Sequence, residues 1–209
     1  MTEKQMNKLN SGREYRSMVL EVRQAENTND EMIVEGYATT FNQPYVLWEG
    51  RDYKVLEQVS PNAFDGCDMS DVIFQYDHTG RVFARTKNNT LELSIDSKGL
   101  LVRANLGGTD EGKKLYQEIK DGYTDKMSFG FIVAEEEKVS AYDYDNDFET
   151  ITRTITKISK LYDVSAVSIP ANDMTSISAR SYSDGVIAEL EAERLKKARL
   201  KLKIKLMGV

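Results

Sequence analysis

The sequence predicts a mainly β fold with a few helices, arranged as an antiparallel barrel or a sandwich. Between about residues 15 and 169, short segments in which apolar and polar residues alternate recur many times. Polar turns separate most of these segments. In the same region, the stretch 109–120 instead has apolar residues at helical spacing. Many short strands with one or two helices are typical of a single β-rich domain.

The chain has 209 residues, of which 40% are hydrophobic and 30% are charged, and one such domain can bury a substantial core. Its formal net charge of −6 argues against a dedicated nucleic-acid binder. The single cysteine, Cys67, excludes an internal disulfide and an all-cysteine metal site, and it fits a reducing cytosol. No segment approaches the ~20 apolar residues of a membrane span, and residues 1–12 lack the apolar stretch of a secretory signal. We therefore expect an intracellular protein with no membrane partner.

The first half of the chain predicts a disordered lead-in over residues 1–14, followed by five strands. The strands are expected at residues 15–22, 32–41, 53–59, 71–76 and 81–86. Ser60 and Pro61 predict the start of a short helix, because serine caps helices and proline suits their first position. The strand at 71–76 brings His78 to its end or just beyond it.

The second half predicts a hairpin, a helix and three further strands. The strands are expected at residues 90–95, 100–106, 127–134, 152–158 and 161–169. The helix is expected over residues 109–120, with Thr109 as its cap and Gly122 as its stop. Ser128 lies at the start of a strand, and residues 139–152 predict a solvated hairpin tip.

The composition changes after about Arg180, and residues 181–209 predict a separate charged tail. Residues 184–207 are typical of a helix with an acidic first half and a basic second half. A basic amphipathic helix can bind acidic protein, nucleic acid or a membrane surface, but it can equally pack on itself or on a second copy. Residues 200–206 also alternate with period two, so their helical state stays open.

Two motifs resemble ligand sites without completing them, and we expect neither cofactor nor metal. Residues 107–114 approach a phosphate-binding loop, but Lys114 stands where a hydroxyl should bind magnesium. The acidic run 143–149 resembles a calcium loop, but it lacks the glycine of the sharp turn, and Thr154 replaces the bidentate carboxylate. A loop that leads into a helix and a solvated hairpin tip explain these stretches better.

His78 is the single histidine, and an imidazole is the side chain best suited to act as a base near neutral pH. Together with Ser128 and Asp163 it has the composition of an acyl-transfer triad. Each residue also has a simpler explanation, such as a serine at a strand start or an aspartate at an exposed strand end. Asp77 is a poor partner for the imidazole, because neighbours on an extended chain point to opposite faces. Cys67 is a poor nucleophile, since two nearby aspartates disfavour its thiolate.

A series of short segments then carries a family resemblance over about residues 15–180. In chain order they are Gly36-Tyr37-Ala38 with Phe41, Val59-Ser60-Pro61-Asn62-Ala63-Phe64, the His78 segment to Phe83-Ala84-Arg85, Thr90-Leu91-Glu92-Leu93 with Gly99-Leu100, Met127-Ser128-Phe129-Gly130-Phe131, and Asp163-Val164-Ser165-Ala166-Val167 to Pro170-Ala171, with Ala179-Arg180. The chain resembles the prohead maturation proteases of tailed bacteriophages. These form a serine protease family whose fold resembles that of the herpesvirus assembly proteases.

The resemblance implies a closed antiparallel β-barrel flanked by a few helices, formed by residues 15–180. It implies that Ser128 is the nucleophile, His78 the general base and Asp163 the third member. The family often has Glu where this chain has Asp163, so the strand must bring the shorter acid closer to the imidazole. It also often has Asp after its histidine, whereas here Thr79 follows.

The resemblance also implies partners and a location. The expected substrates are the major capsid protein with its scaffold region, and the protease itself. A homo-oligomer is expected, acting in the cytoplasm of a bacterial host inside the assembling prohead, with the tail as a removable segment. One alternative is a non-enzymatic scaffold or capsid-interaction protein that keeps a protease-like barrel. Another is an unrelated β-barrel module whose basic tail contacts nucleic acid, a partner that the net charge makes the weaker expectation.

Overall fold

The computed structural model describes residues 12–18, 23–24 and 32–168, together with helical residues at 187–188, 190–196, 198–200 and 203–204. The strands of the described part are β1 Glu14–Met18, β2 Arg23–Gln24, β3 Ile33–Thr40, β4 Tyr45–Glu49, β5 Tyr53–Val59, β6 Ile73–Tyr76, β7 Thr79–Arg85, β8 Leu91–Ile95, β9 Gly99–Asn105, β10 Lys126–Asp143 and β11 Phe148–Val167. One α-helix, α1, spans Asp110–Lys120, and a 3₁₀ helix spans Thr86–Asn88. The predicted lead-in and the tail therefore lie largely outside the described residues.

The strands form two sheets with the main core between them. The larger sheet has the order β1-β10-β11-β5-β4, and β6 pairs with both β11 and β7. The smaller sheet has the order β2-β3-β9-β8. Side chains from both sheets and from α1 share one apolar cluster, to which Val34, Val102, Leu115, Phe129 and Ile158 belong.

The predicted closed antiparallel barrel is wrong. Among the described residues the two sheets stay separate, and neither closes on itself. The larger sheet is also mixed, because β11 pairs in parallel with β5 and with β6. Alternation of apolar and polar residues indicates which face of a strand is buried, but not whether the first and last strands pair. A barrel and two facing sheets bury the same alternating residues, so the pattern could not separate them.

The larger sheet nevertheless curls strongly. Arg16 of β1 forms an ion pair with Glu57 of β5, although β10 and β11 lie between these strands in the sheet order. Neighbouring strands lie about 4.8 Å apart, so a flat sheet would separate β1 from β5 by about 14 Å. Side chains, rather than a backbone ladder, therefore join the two sides of the curl.

Several predicted elements differ in extent from the observed ones. The strands predicted at 152–158 and 161–169 form the single strand β11, and β10 continues to Asp143. The short helix predicted after Ser60 is a succession of turns, with bonds such as Ala63 N to Ser60 O. Strand β4 was not predicted, because it is short and mostly half-buried.

Helix α1 follows its sequence signals. The Thr109 side chain accepts a hydrogen bond from Gly112 N at 3.0 Å, as a helix cap does. Leu115, Tyr116 and Ile119 are buried on one face. The glycine-rich stretch thus serves as the start of a capped helix. The acidic run serves as a turn: Asp143 accepts hydrogen bonds from the backbone N–H groups of residues 145 and 146 between β10 and β11.

The described residues of the tail are helical and pack on the larger sheet. Ile187 and Leu190 are buried against Tyr53, Val55 and Ile151. Arg194 adds ion pairs to Glu149 at 2.8 Å and to Asp52 at 3.2 Å. A cavity of about 530 Å³ lies between this helical segment and the β10–β11 hairpin.

Candidate active site

His78 lies in a two-residue turn between β6 and β7, which pair at Tyr76 and Thr79. Both turn residues have left-handed backbones, with φ of 47° at Asp77 and 55° at His78. Such turns match the twist of a hairpin, and aspartate tolerates this conformation better than most residues. A histidine there is unusual and costs conformational energy, which is often stored at functional sites.

Asp77 ties this turn to the end of β11. Its backbone N–H donates to Ala166 O at 3.0 Å. Its carboxylate accepts hydrogen bonds from Ser168 N and from Ser168 Oγ, each at 2.9 Å. These bonds fix the turn that carries His78 against the strand that carries Asp163.

Ser128 and Asp163 lie on neighbouring strands with a register that places them on one face. Ser128 of β10 pairs with Ser165 of β11, and Gly130 pairs with Asp163. Directly paired residues point to the same side of a sheet, as do residues two apart on a strand. The side chains of Ser128, Ser165 and Asp163 therefore share the face toward which the β6–β7 turn brings His78.

The three residues form a continuous hydrogen-bonded chain. His78 Nε2 lies 2.5 Å from Ser128 Oγ, and His78 Nδ1 is hydrogen-bonded to Asp163 Oδ1. With Nδ1 donating to the carboxylate, Nε2 can accept the serine proton, which is the arrangement of a serine protease triad. The exposed fractions are 0% for Ser128, 6% for His78 and 1% for Asp163. The structure thus brings together the three residues singled out from the sequence.

Ser165 is a fourth polar residue at this site, and the sequence analysis gave it no role. Its hydroxyl donates to Asp163 Oδ1 at 3.2 Å and lies 3.2 Å from His78 Nδ1. It is fully buried. Its position two residues after Asp163 in an apolar strand was a usable signal, because that spacing places both side chains on one face.

Gly130 leaves room for Asp163. A Cβ at this position would lie 2.5 Å from Asp163 Oδ2 and 2.6 Å from Cε1 of Tyr15. Any larger residue would therefore displace the carboxylate or the ring. The glycine in the Met-Ser-Phe-Gly-Phe segment has a steric role that no local pattern shows.

Tyr15 of β1 covers the imidazole. The two rings meet edge to face, with centroids 4.5 Å apart and planes at 66°. Tyr15 is 1% exposed. No sequence signal indicates this contact, because it depends on β1 lying beside β10.

A second buried polar cluster lies on the opposite face of β1. We name it the ion-pair cluster, and it comprises Glu14, Arg16, Glu57, Arg153 and Tyr45. Both guanidinium groups and the Tyr45 hydroxyl bind Glu57. Burial opposes ionisation of Glu57, but the charges of Arg16 and Arg153 outweigh it and lower its pKa from 4.5 to about 2. Glu57 is therefore a buried carboxylate at neutral pH.

Cys67 is half-buried, and burial raises the pKa of its thiol to about 11. A thiol with such a pKa is a weak nucleophile near neutrality. The described residues contain no cluster of His, Cys, Asp and Glu able to hold a metal ion. Among the helices of the described part, none is long and apolar enough to cross a membrane.

Comparison with known families gives one match. The family model described as caudovirus prohead serine protease matches residues 18–186, which is most of the chain and includes all three triad residues. Neither a curated protein nor a solved structure matches the chain.

Proposed function

The chain belongs to the caudovirus prohead serine protease family, and on that premise we propose that it is an endopeptidase whose triad is Ser128, His78 and Asp163. The family makes the chain a serine peptidase with a role in capsid maturation. One observation supports the assignment of the residues most strongly: the continuous hydrogen-bonded chain from Ser128 Oγ through the imidazole to the Asp163 carboxylate.

The first half of the reaction forms an acyl-enzyme. His78 Nε2 takes the proton of Ser128 as its Oγ attacks the peptide carbonyl carbon. Asp163 holds the Nδ1–H tautomer and stabilises the imidazolium that results. Backbone N–H groups stabilise the oxyanion, each contributing roughly 3 kcal/mol. The imidazolium then gives its proton to the leaving amine as the C–N bond breaks, which leaves an ester on Ser128.

The second half hydrolyses the ester. His78 takes a proton from a water molecule that attacks the ester carbonyl, and then returns it to Ser128 Oγ. Ser165 supports both halves as a positioning residue, because it donates to the same Asp163 oxygen that binds the imidazole. The proposed steps need only these side chains, backbone N–H groups and water.

The substrates we propose are the scaffold region of the major capsid protein and the protease itself, cut inside the assembling prohead in the host cytoplasm. A homo-oligomer is the proposed working form. The charged tail after residue 180 is proposed to be removable. Its described start packs on the larger sheet through Ile187 and Leu190.

Co-expression with the neighbouring capsid gene tests this function. Wild-type chain should shorten the capsid protein, whereas Ser128→Ala should leave it at full length with the protease still folded. The hydroxyl contributes about 1 kcal/mol to stability at most, so thermal unfolding should change little. A full-length capsid protein in both samples would favour the non-enzymatic scaffold instead.

A further inference from the structure

Strand β1 occupies the edge of the strand that carries Ser128. It runs antiparallel to β10, with Arg16 opposite Phe129 and residue 17 opposite Ser128. The carbonyl oxygen of Arg16 accepts a hydrogen bond from Ser128 Oγ at 2.7 Å. Because a C=O bond is about 1.2 Å long, the carbonyl carbon of Arg16 lies at most about 4 Å from the nucleophile. An extended segment of the chain thus lies where a peptide substrate has to lie.

This arrangement holds the site in a closed state. A hydroxyl has one hydrogen, so Ser128 cannot donate to Arg16 O and to His78 Nε2 at once. The carbonyl therefore competes with the imidazole for the proton that catalysis must move. Ser128 is 0% exposed beneath β1, and a second peptide can reach it only after β1 leaves.

The side chains of Tyr15 and Arg16, in the middle of β1, both pack into buried sites. Tyr15 lies against the His78 ring on the triad face. Arg16, 1% exposed, binds Glu57 on the opposite face and lies over the Phe131 ring at 5.8 Å. Glu57 is 0% exposed and receives the Tyr45 hydroxyl as well. The residue whose carbonyl meets the nucleophile therefore has its guanidinium on a buried carboxylate, Glu57, which Arg153 also binds.

The family match leaves out most of β1. It begins at residue 18 and includes β10, β11 and the ion-pair residue Glu57. Residues 14–17, which cover the nucleophile, lie outside it.

We propose that the edge of β10 from Met127 to Phe131 is the peptide-binding cleft, that it prefers an arginine immediately before the scissile bond, and that β1 is a self-segment bound there. This inference rests on the proposed function and adds its substrate class. The cleft binds an extended peptide by adding a strand to the sheet, a recognition mode in which backbone bonds provide affinity and pockets provide specificity. The Glu57 pocket recognises the arginine side chain.

Cleavage of β1 itself follows the same chemistry. Ser128 Oγ bonds to the carbonyl carbon of Arg16, the bond from that carbon to the nitrogen of Ser17 breaks, and the imidazolium protonates the new amine. Water then hydrolyses the ester, which leaves a carboxylate on Arg16. The chain that remains begins at Ser17, and the part of the cleft that binds the residues before the scissile bond is open.

Peptide specificity tests the pocket. Full-length wild-type chain and its Arg16→Glu variant are incubated with the peptide GREYRSMVL, the sequence of residues 12–20, and with versions carrying Lys, Gln or Glu in place of its second arginine. We expect cleavage between that arginine and serine, with kcat/KM at least about tenfold lower for Gln and lowest for Glu. Equal cleavage of all four peptides, or cleavage elsewhere, would overturn the proposed preference.

Displacement of β1 tests the closed state. The Arg16→Glu change places a carboxylate against Glu57 and should drive β1 out, so a fluorophosphonate probe should label Ser128 about tenfold faster than in wild type. Arg51→Glu is the matched control, since it makes the same charge change at an exposed residue in the turn between β4 and β5. It should leave labelling unchanged. Slower labelling in a folded Arg16→Glu protein would show that β1 is structural and overturn the inference.

The two experiments separate this inference from the proposed function. If the probe labels Ser128 but the peptides are not cleaved after arginine, the proposed cleft is contradicted. The peptidase assignment is then still supported by the labelling. No labelling in any folded variant contradicts the peptidase assignment itself. If Arg16→Glu does not fold, the peptide series on wild type decides, because its arginine preference does not depend on that variant.

Discussion

Strand β1 separates two buried polar clusters of different kinds. On one face Tyr15 covers the triad, where His78 takes the proton of Ser128 and Asp163 stabilises the resulting imidazolium. On the other face Arg16 enters the ion-pair cluster, where full charges hold strands together that no backbone ladder joins. The triad should therefore tolerate substitution structurally and fail chemically, whereas substitution in the ion-pair cluster should lower the free energy of unfolding. Each of the following changes probes one side of that contrast.

We expect the largest effect from Asp163→Asn, on the triad face. The amide favours the wrong imidazole tautomer, so kcat should fall by roughly 10³ to 10⁴, as it does in other triads. The free energy of unfolding, measured by chemical denaturation, should stay within about 1 kcal/mol of the wild-type value. An Asp163→Asn enzyme with wild-type turnover would show that Asp163 is not a member of the triad.

The milder Ser165→Ala should lower kcat about tenfold, since it removes only a bond to Asp163.

Glu57→Gln probes the opposite face. It leaves two buried guanidinium groups with one carboxylate fewer, and the free energy of unfolding should fall by about 3–5 kcal/mol.

Acid unfolding gives a second measurement on the same variant. The folded-state pKa of Glu57 is lowered to about 2 from 4.5. Its carboxylate therefore stabilises the fold above pH 4.5, and this stabilisation is lost as the pH falls toward 2. The Glu57→Gln protein should show a flatter pH dependence of stability in that window. Equal slopes of stability against pH in the two proteins would mean that Glu57 does not cause this loss of stability in acid.

Gly130→Ala affects the packing of Asp163 and Tyr15 on the triad face. The added Cβ collides with Asp163 Oδ2 and with the Tyr15 ring, so we expect a loss of about 1–3 kcal/mol in stability together with reduced kcat. Denaturation and peptide hydrolysis measured on the same sample distinguish the two effects. Unchanged values of both would show that β1 or Asp163 moves freely, contrary to the tight packing described.

The smallest effect is expected from Arg194→Ala on the helical tail, far from both clusters. Arg194 is partly exposed and pairs with Glu149 and Asp52, and such pairs contribute at most about 1 kcal/mol. Thermal unfolding should shift by a few degrees at most, with hydrolysis unchanged. A large loss of activity would show that the tail affects the triad, which we do not expect from its position.

The sequence predicted most of the residues on the triad face and few of those in the ion-pair cluster. His78 was predicted as the single imidazole, and the segments around Ser128 and Asp163 carried a family resemblance. Tyr15 and Arg16 could not be placed, because their contacts depend on β1 joining β10 across more than 100 residues. For the same reason alternation predicted the buried faces of the strands but not the open, mixed sheet.

The roles assigned to Ser128 and His78 are tested most directly by covalent labelling. Purified full-length chain is treated with a fluorophosphonate probe, digested, and searched by mass spectrometry for the modified residue. We expect the probe on Ser128, and we expect His78→Ala to reduce its rate of addition by about 100-fold or more. A probe on another residue, or equal labelling of folded His78→Ala, would contradict the triad.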